Sequence, residues 1–131
     1  MLEGASKQVV MHVLVRKPDA ASEFMTPERC RILEVWNDSS DPHLSIARAT
    51  VAPGVTTQRH RLRGVDERYL IVEGQGVIQL GDLAAEPVIA GNVAVIPAGT
   101  SQRITNVGDS DLVFYCLCSP PFSPDCYESL E

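Results

Sequence analysis

The sequence lacks the features that direct a protein to nucleic acid or to a membrane. Its 131 residues include 11 lysines and arginines against 17 aspartates and glutamates, for a formal net charge of −6. A negative chain is repelled by a phosphate backbone and by an anionic bilayer. No apolar run approaches membrane-spanning length, and residues 1–8 lack the basic and apolar segments of a secretory signal. We therefore expect a cytoplasmic protein without nucleic-acid or membrane partners.

Several catalytic signatures are also missing, and cysteine is scarce. The sequence contains no phosphate-binding loop, nucleophile elbow, dinucleotide fingerprint or Cys-x-x-Cys pair. Among its 4 cysteines, Cys116 and Cys118 are two positions apart in one predicted strand. They then share a face at a separation of roughly 6–7 Å, which is too long for an unstrained disulfide. We expect buried, reduced thiols, and a shared soft metal is the alternative.

The residues that are present favour strands almost throughout. Short β-branched or alternating runs recur between clusters of Gly, Pro, Asn and Asp, whereas helical periodicity is scarce. The pattern predicts one all-β domain over residues 1–131, a sandwich or barrel of about nine strands. The predicted strands are Val9–Val15, Arg31–Val35, Leu44–Val51, Thr56–Leu62, Arg68–Val72, Val77–Leu80, Val93–Ile96, Gln102–Thr105 and Leu112–Cys118.

Three segments depart from the regular strand pattern. Residues 19–28 suit a single helical turn that begins at Thr26-Pro27. The proline-rich tail after Ser119 is predicted to lie extended over the barrel, with Phe122 and Tyr127 as anchors. The strand Val9–Val15, which contains His12, suits edge pairing and therefore predicts a homodimer. We assign His43 to a surface loop.

Alternation in the strand Thr56–Leu62 indicates which side chains face the interior. Gln58, His60 and Leu62 share one face, and the arginines between them share the other. A second strand then presents a matching face, formed by Glu67, Tyr69 and Ile71. Burial of both faces is expected to place Glu67 opposite His60 across an antiparallel pair.

An interior carboxylate beside an imidazole points to one of two arrangements. A buried carboxylate is costly unless it is protonated, paired or bound to a cation, and a neutral imidazole offers a second ligand for a metal. The alternative is a neutral His60 hydrogen-bonded to Glu67 in a polar core network. These two residues alone leave both arrangements open.

The spacing of two segments resembles the paired motifs of the cupin superfamily. Residues 54–74 match the first motif at Gly54, His60, Glu67 and Gly74, and residues 91–106 match the second at Gly91, Pro97, Gly99 and Asn106. The resemblance implies a jelly-roll barrel, or double-stranded β-helix, with a short N-terminal extension and an extended C-terminal tail.

The resemblance also implies a metal site, with two departures. Cupins commonly hold a metal with two histidines and a glutamate from the first motif and a histidine from the second, but Leu62 and Gln102 occupy two of those positions. The ligands that the resemblance leaves are His60, Glu67 and Gln102, through an imidazole nitrogen, a carboxylate and an amide oxygen. Such a reduced site is expected to take Mn, Fe, Ni or Zn, with water at open positions.

The function implied by the resemblance has two main forms and a weaker third. One is a metal-dependent enzyme, an oxygenase or an isomerase or epimerase, acting on a small organic or sugar-like molecule; the other is a non-catalytic module that binds or senses a small metabolite. A purely structural protein is the third, although inward polar residues would then serve no purpose. The predicted substrate pocket consists of Gln58, Leu62, Tyr69, Ile71 and Ile104.

Overall fold

The alternating runs form eleven strands in a computed structural model that describes residues 10–131. The strands are β1 (Phe24–Met25), β2 (Arg31–Trp36), β3 (Ser45–Val51), β4 (His60–Leu62), β5 (Asp66–Glu73), β6 (Gln75–Leu80), β7 (Glu86–Ile89), β8 (Val93–Ile96), β9 (Gln102–Asn106), β10 (Leu112–Ser119) and β11 (Tyr127–Ser129). Two short 3₁₀ turns, Ala20–Ser22 and Pro124–Cys126, are the only helical elements in the described part of the chain. No helix there is long and apolar enough to cross a membrane.

The strands form two antiparallel sheets that enclose a common interior. One six-stranded sheet has the order β1-β2-β3-β10-β5-β8, and a five-stranded sheet has the order β11-β4-β9-β6-β7. Strands that are distant in sequence therefore become neighbours, as in a jelly roll. The predicted all-β fold, with its jelly-roll barrel, is confirmed.

The N-terminal segment differs from its prediction. Residues 10–15 lie outside all strands and leave their apolar side chains exposed, while Val9 falls outside the described residues. The predicted edge strand is therefore wrong over residues 10–15, since no strand within residues 10–131 supplies the hydrogen bonds that an isolated β-branched run needs. The helical turn starts earlier than expected, because the Asp19 side chain caps it at the Ala21 amide. Thr26 instead closes a turn by donating to the Cys30 carbonyl oxygen at 2.8 Å.

Apolar side chains fill one end of the barrel. Inward positions of both sheets meet there, because alternate residues of each strand point to the same side. The largest fully buried apolar side chains are Val51, Ile71, Ile96, Ile104, Leu112 and Phe114. The other end is less completely filled and contains the candidate site.

Residues 119–131, which we call the C-terminal strap, close that other end. Strand β11 within the strap pairs antiparallel with β4, so that Tyr127 lies opposite Leu62. Glu128 accepts hydrogen bonds from Arg61 at 2.6 Å and from Arg63 at 2.9 Å, which fastens the strap from outside. Phe122 and Tyr127 pack on a small buried cluster, as the predicted anchors of the tail should.

Candidate functional site

A cavity of about 480 Å³ lies between the two sheets, beneath the C-terminal strap. Five of the residues predicted for the site line its wall: Gln58, His60, Leu62, Glu67 and Tyr69. The other three do not reach the cavity: Ile71 and Ile104 are fully buried in the apolar core, and Gln102 is buried behind the wall. Thr57 also lines the cavity, because regular strand geometry begins only at His60.

His60 presents one ring nitrogen to the cavity. Strand β4 pairs with β9 and places the residue directly opposite Gln102. Its Nδ1 donates to the backbone carbonyl oxygen of Gln58 at 2.8 Å, which leaves the lone pair on Nε2. That Nε2 lies 4.0 Å from Oε2 of Glu28. Burial lowers the pKa of His60, so the imidazole is neutral at pH 7 and the contact with Glu28 is not an ion pair.

Glu67 approaches the cavity from the opposite sheet. Its strand, β5, pairs with β10 and β8, so the expected antiparallel pairing of Glu67 with His60 is wrong. The two residues face the cavity from different sheets because β4 pairs with β9 and β11 instead. Cys118 donates to Oε2 at 3.6 Å, whereas the buried Oε1 has no hydrogen-bond partner. Burial raises the pKa of Glu67 to about 7, despite the opposing effects of Gln102, Cys118 and Cys116.

Glu28 is a site residue that the sequence did not reveal. It precedes β2 in the turn that Thr26 closes, and its side chain lines the cavity near His60. Burial, with a smaller effect from the charge of Glu67, raises its pKa to about 7. The Thr-Pro-Glu sequence suggested a helix start, and no strand pattern marked this carboxyl as inward-facing.

Tyr69 and Gln102 form a buried pair behind this polar end. The Tyr69 hydroxyl donates to Oε1 of Gln102 at 2.5 Å. The remaining amide nitrogen of Gln102 is buried and has no partner. Burial raises the pKa of Tyr69 well above its usual range, so the phenol keeps its proton. The Gln102 oxygen is thus engaged by Tyr69, and the buried amide nitrogen is the polar atom of this side chain that remains without a partner.

Three free thiols complete the wall: Cys30, Cys116 and Cys118. As predicted, Cys116 and Cys118 remain reduced and share the inward face of β10. Burial raises the pKa of each of the three, which keeps the sulfur protonated. Protonated thiols are weak nucleophiles and poor ligands for a metal.

The donor set fits a divalent metal poorly. His60 Nε2 and Glu67 Oε1 are free, but the third predicted ligand, Gln102, has its oxygen engaged by Tyr69. A metal needs an oxygen or nitrogen lone pair, which an amide NH₂ does not offer. Within residues 10–131, no three His, Cys, Asp or Glu side chains form a group able to hold a metal ion. Leu62 lies on the wall where a second histidine would have been needed.

Tyr127 of the C-terminal strap covers His60. The two rings stack with centroids 4.7 Å apart and an interplanar angle of 21°. The Tyr127 hydroxyl donates to Oε1 of Gln58, the residue whose carbonyl oxygen holds His60 Nδ1. The sequence marked Tyr127 only as an anchor of the tail, because its contact with the site depends on where the strap returns to β4.

Comparisons with known proteins agree with this architecture. An uncharacterised protein of Methanocaldococcus jannaschii is 29% identical over 125 residues, covering 94% of this chain and 99% of that protein. An oxalate-binding protein of Thermotoga maritima is 34% identical over 71 residues, covering 54% of this chain and 58% of that protein. The solved structure of Pac13, a Streptomyces nucleoside dehydratase, superposes with a TM-score of 0.73 at 18% identity, over 90% of this chain and 92% of that one.

A family comparison settles the identity of the fold. The cupin domain model matches residues 47–118, more than half of the chain. That segment runs from β3 to β10 and so contains strands of both sheets and about half of the residues that line the cavity. The chain belongs to the cupin domain family.

Proposed function

We propose that this cupin encloses a small organic molecule in its cavity and moves protons on it, as isomerases and lyases do. The observation that carries the proposal is the approach of His60 Nε2 to within 4.0 Å of the Glu28 carboxyl in the wall of the cavity between the two sheets. Glu67 adds a second carboxyl with an unpartnered oxygen. Acid–base catalysis needs groups of this kind within reach of one substrate.

The imidazole of His60 suits the role of general base, and the carboxyl of Glu67 suits the role of general acid. A neutral His60 accepts a proton from a carbon or oxygen of the substrate at Nε2, because Nδ1 is held by the Gln58 carbonyl. Glu67, with a pKa raised to about 7, is partly protonated near neutral pH and donates its proton to a carbonyl or departing oxygen. The proton that His60 gained then passes to product or solvent, and Glu67 takes one proton back from product or solvent, which restores both groups.

The compared proteins support this class of function in a general way. One relative is an oxalate-binding protein, and one structural neighbour is a nucleoside dehydratase, a variant of which was solved with uridine. Both names describe action on, or binding of, a small molecule. Oxalate itself suits this cavity poorly, since a dianion would lie beside Glu28 and Glu67.

Hydrogen–deuterium exchange tests the proposal without knowledge of the true substrate. A panel of small carbonyl and hydroxy compounds is incubated with the protein in D₂O, and exchange at carbon is followed by NMR. We expect His60→Ala and Glu67→Gln each to reduce exchange by about 100-fold or more. Glu73→Gln, which removes an exposed carboxyl from the same strand, is the matched control. Wild-type exchange no faster than buffer across the panel would contradict the proposal.

The metal-dependent oxygenase, isomerase or epimerase expected from the sequence is the second candidate. The unpartnered Oε1 of Glu67 favours it, because a cation would satisfy that oxygen. Elemental analysis for Mn, Fe, Ni and Zn decides between the two. Stoichiometric metal that is lost in His60→Ala, together with exchange abolished by a chelator, would replace the first candidate with the second.

A non-catalytic binding or sensing role differs from both in its outcome. A metabolite that raises the melting temperature but undergoes no exchange or turnover would assign the protein to that role. The expected homodimer and cytoplasmic location are separate proposals, which sedimentation and cell fractionation test.

A further inference from the structure

The charged side chains that line the cavity all have the same sign. They are the carboxyls of Glu28, Glu34 and Glu67, and among residues 10–131 no lysine or arginine lines the wall. Of these, Glu67 is 6% exposed and has an acceptor oxygen without a donor. A ligand must therefore supply whatever positive charge this cavity receives.

The arginines nearest to the site do not provide that charge. Arg61 and Arg63 point away from the cavity and pair with Glu128 at 2.6 and 2.9 Å. Arg29 pairs with Glu131 at 3.0 Å, on the outer surface of the barrel. Glu128 and Glu131 thus hold all three guanidinium groups outside the cavity, so the carboxyls of its wall have no arginine partner.

We propose that the cavity selects a small organic cation, an amine or related nitrogen base, over an anion or a neutral molecule of the same shape. The inference rests on the proposed function insofar as both need a small molecule enclosed by the barrel. The inference specifies, in addition, that this molecule carries a positive charge.

The ammonium group of such a ligand has a complementary environment at the polar end. Its N–H groups can donate to the carboxyls of Glu67 and Glu28, which both line the cavity. Charge-assisted hydrogen bonds to buried carboxylates are about twice as strong as neutral ones. Burial raises the pKa of Glu28 and of Glu67 to about 7, so both carboxyls are mostly ionised at pH 8 and can accept from an ammonium group there.

The rest of the wall suits a hydrocarbon body. It is formed mainly by apolar and aromatic side chains, among them Ile32, Ala49, Phe114, Phe122 and Tyr127. Aromatic faces also attract a nearby cation through the ring quadrupole. A divalent metal ion, in contrast, gains nothing from an apolar wall and prefers several converging oxygen or nitrogen ligands.

Two matched series of probes test charge selectivity. Benzylamine, benzyl alcohol and benzoate share one ring, and butylamine, butanol and butyrate share one chain. Binding to the full chain is measured by calorimetry and by the shift in melting temperature near pH 8, after chelator treatment. We expect the amine of at least one series to bind about ten-fold more tightly than its alcohol, and the carboxylate to bind more weakly still.

Variants assign the selectivity to the cavity. Glu28→Gln and Glu67→Gln are each expected to weaken amine binding by about five-fold or more, with alcohol binding nearly unchanged. Glu73→Gln, on the outer part of β5, should leave the preference for amine intact. All three variants remove one negative charge from the protein. A loss of amine binding only in the two cavity variants therefore reflects contact with the ligand and not the change in net charge.

The possible failures are distinguishable. Equal or tighter binding of the carboxylate, or an amine preference that survives both cavity variants, overturns the organic-cation inference but leaves an enclosed ligand site. Mn²⁺ that binds tightly and displaces the amine overturns it in favour of a metal. Absence of binding by all six probes overturns the inference and also counts against enclosure of a small organic molecule.

Discussion

Tyr127 stacks on His60 with ring centroids 4.7 Å apart, so a residue near the end of the chain forms the roof over the imidazole. The Tyr127 hydroxyl donates to Gln58, and the Gln58 carbonyl holds Nδ1 of His60. The position of the C-terminal strap, the tautomer of His60 and the orientation of the His60 ring thus depend on one another. The residues that link them are Tyr127, Gln58 and His60. This connection makes the C-terminal strap part of the site as well as part of the barrel.

Removal of the Tyr127 ring should destabilise the protein more than removal of its hydroxyl. We expect Tyr127→Ala to lower the free energy of unfolding by about 2 kcal/mol, less than for a fully buried aromatic because Tyr127 is only half-buried. Tyr127→Phe keeps the stack and should lose about 1 kcal/mol or less. Urea denaturation measures both, and equal losses would show that the hydrogen bond to Gln58 dominates.

The buried carboxyl of Glu67 should make stability fall as the pH rises. Its pKa is raised from 4.5 to about 7 in the folded protein, so the folded state retains a proton that the unfolded state loses. Stability is lost between about pH 4.5 and 7, by roughly 1–3 kcal/mol for this group. Glu67→Gln removes the titration, so its stability advantage over wild type should appear at pH 8 and vanish near pH 4.

The measurement for Glu67 is the difference between variant and wild type across the pH range. That difference cancels the contributions of titrating groups that do not interact with Glu67, such as His60, whose lowered pKa acts in the opposite direction. A constant difference from pH 4 to 8 would contradict a raised pKa.

The buried Tyr69–Gln102 pair should behave as a unit. Tyr69→Phe leaves Oε1 of Gln102 buried without a donor, which should lower the free energy of unfolding by roughly 1–3 kcal/mol. Adding Gln102→Leu removes the stranded amide and should recover part of that loss. A double-mutant cycle in urea measures the coupling, and simple additivity would mean that the two side chains do not depend on each other.

Gly74 should tolerate alanine less well than Gly54. Both have a positive φ, of +90° and +78° respectively, so both substitutions strain the backbone by about 1 kcal/mol or more. A Cβ at Gly74 would lie 2.6 Å from the Asp111 carbonyl oxygen, whereas at Gly54 it would meet nothing within 4 Å. We expect the loss of stability at Gly74 to exceed that at Gly54 by roughly 1–3 kcal/mol, measured by thermal unfolding. Equal losses would show that the backbone relaxes to avoid Asp111.

Local sequence predicted the strands well where the alternation is clean. The inward positions of β5 and β10 follow from period-two patterning and are found as expected. Strand β7 was missed because Pro87 interrupts its pattern, which an edge strand tolerates. Residues 10–15 show the opposite error, since β-branched composition favours a strand only where a neighbour is available to pair with it.

The sequence by itself determined the barrel family and the inward direction of His60 and Glu67, because motif spacing and strand periodicity are local properties. Only the tertiary structure decided that these residues face each other from different sheets and that Glu28 and Tyr127 join them. It also decided that Gln102 turns its oxygen to Tyr69. Those outcomes depend on which distant strands become neighbours and on how each buried polar atom finds a partner, and neither follows from any short stretch of chain.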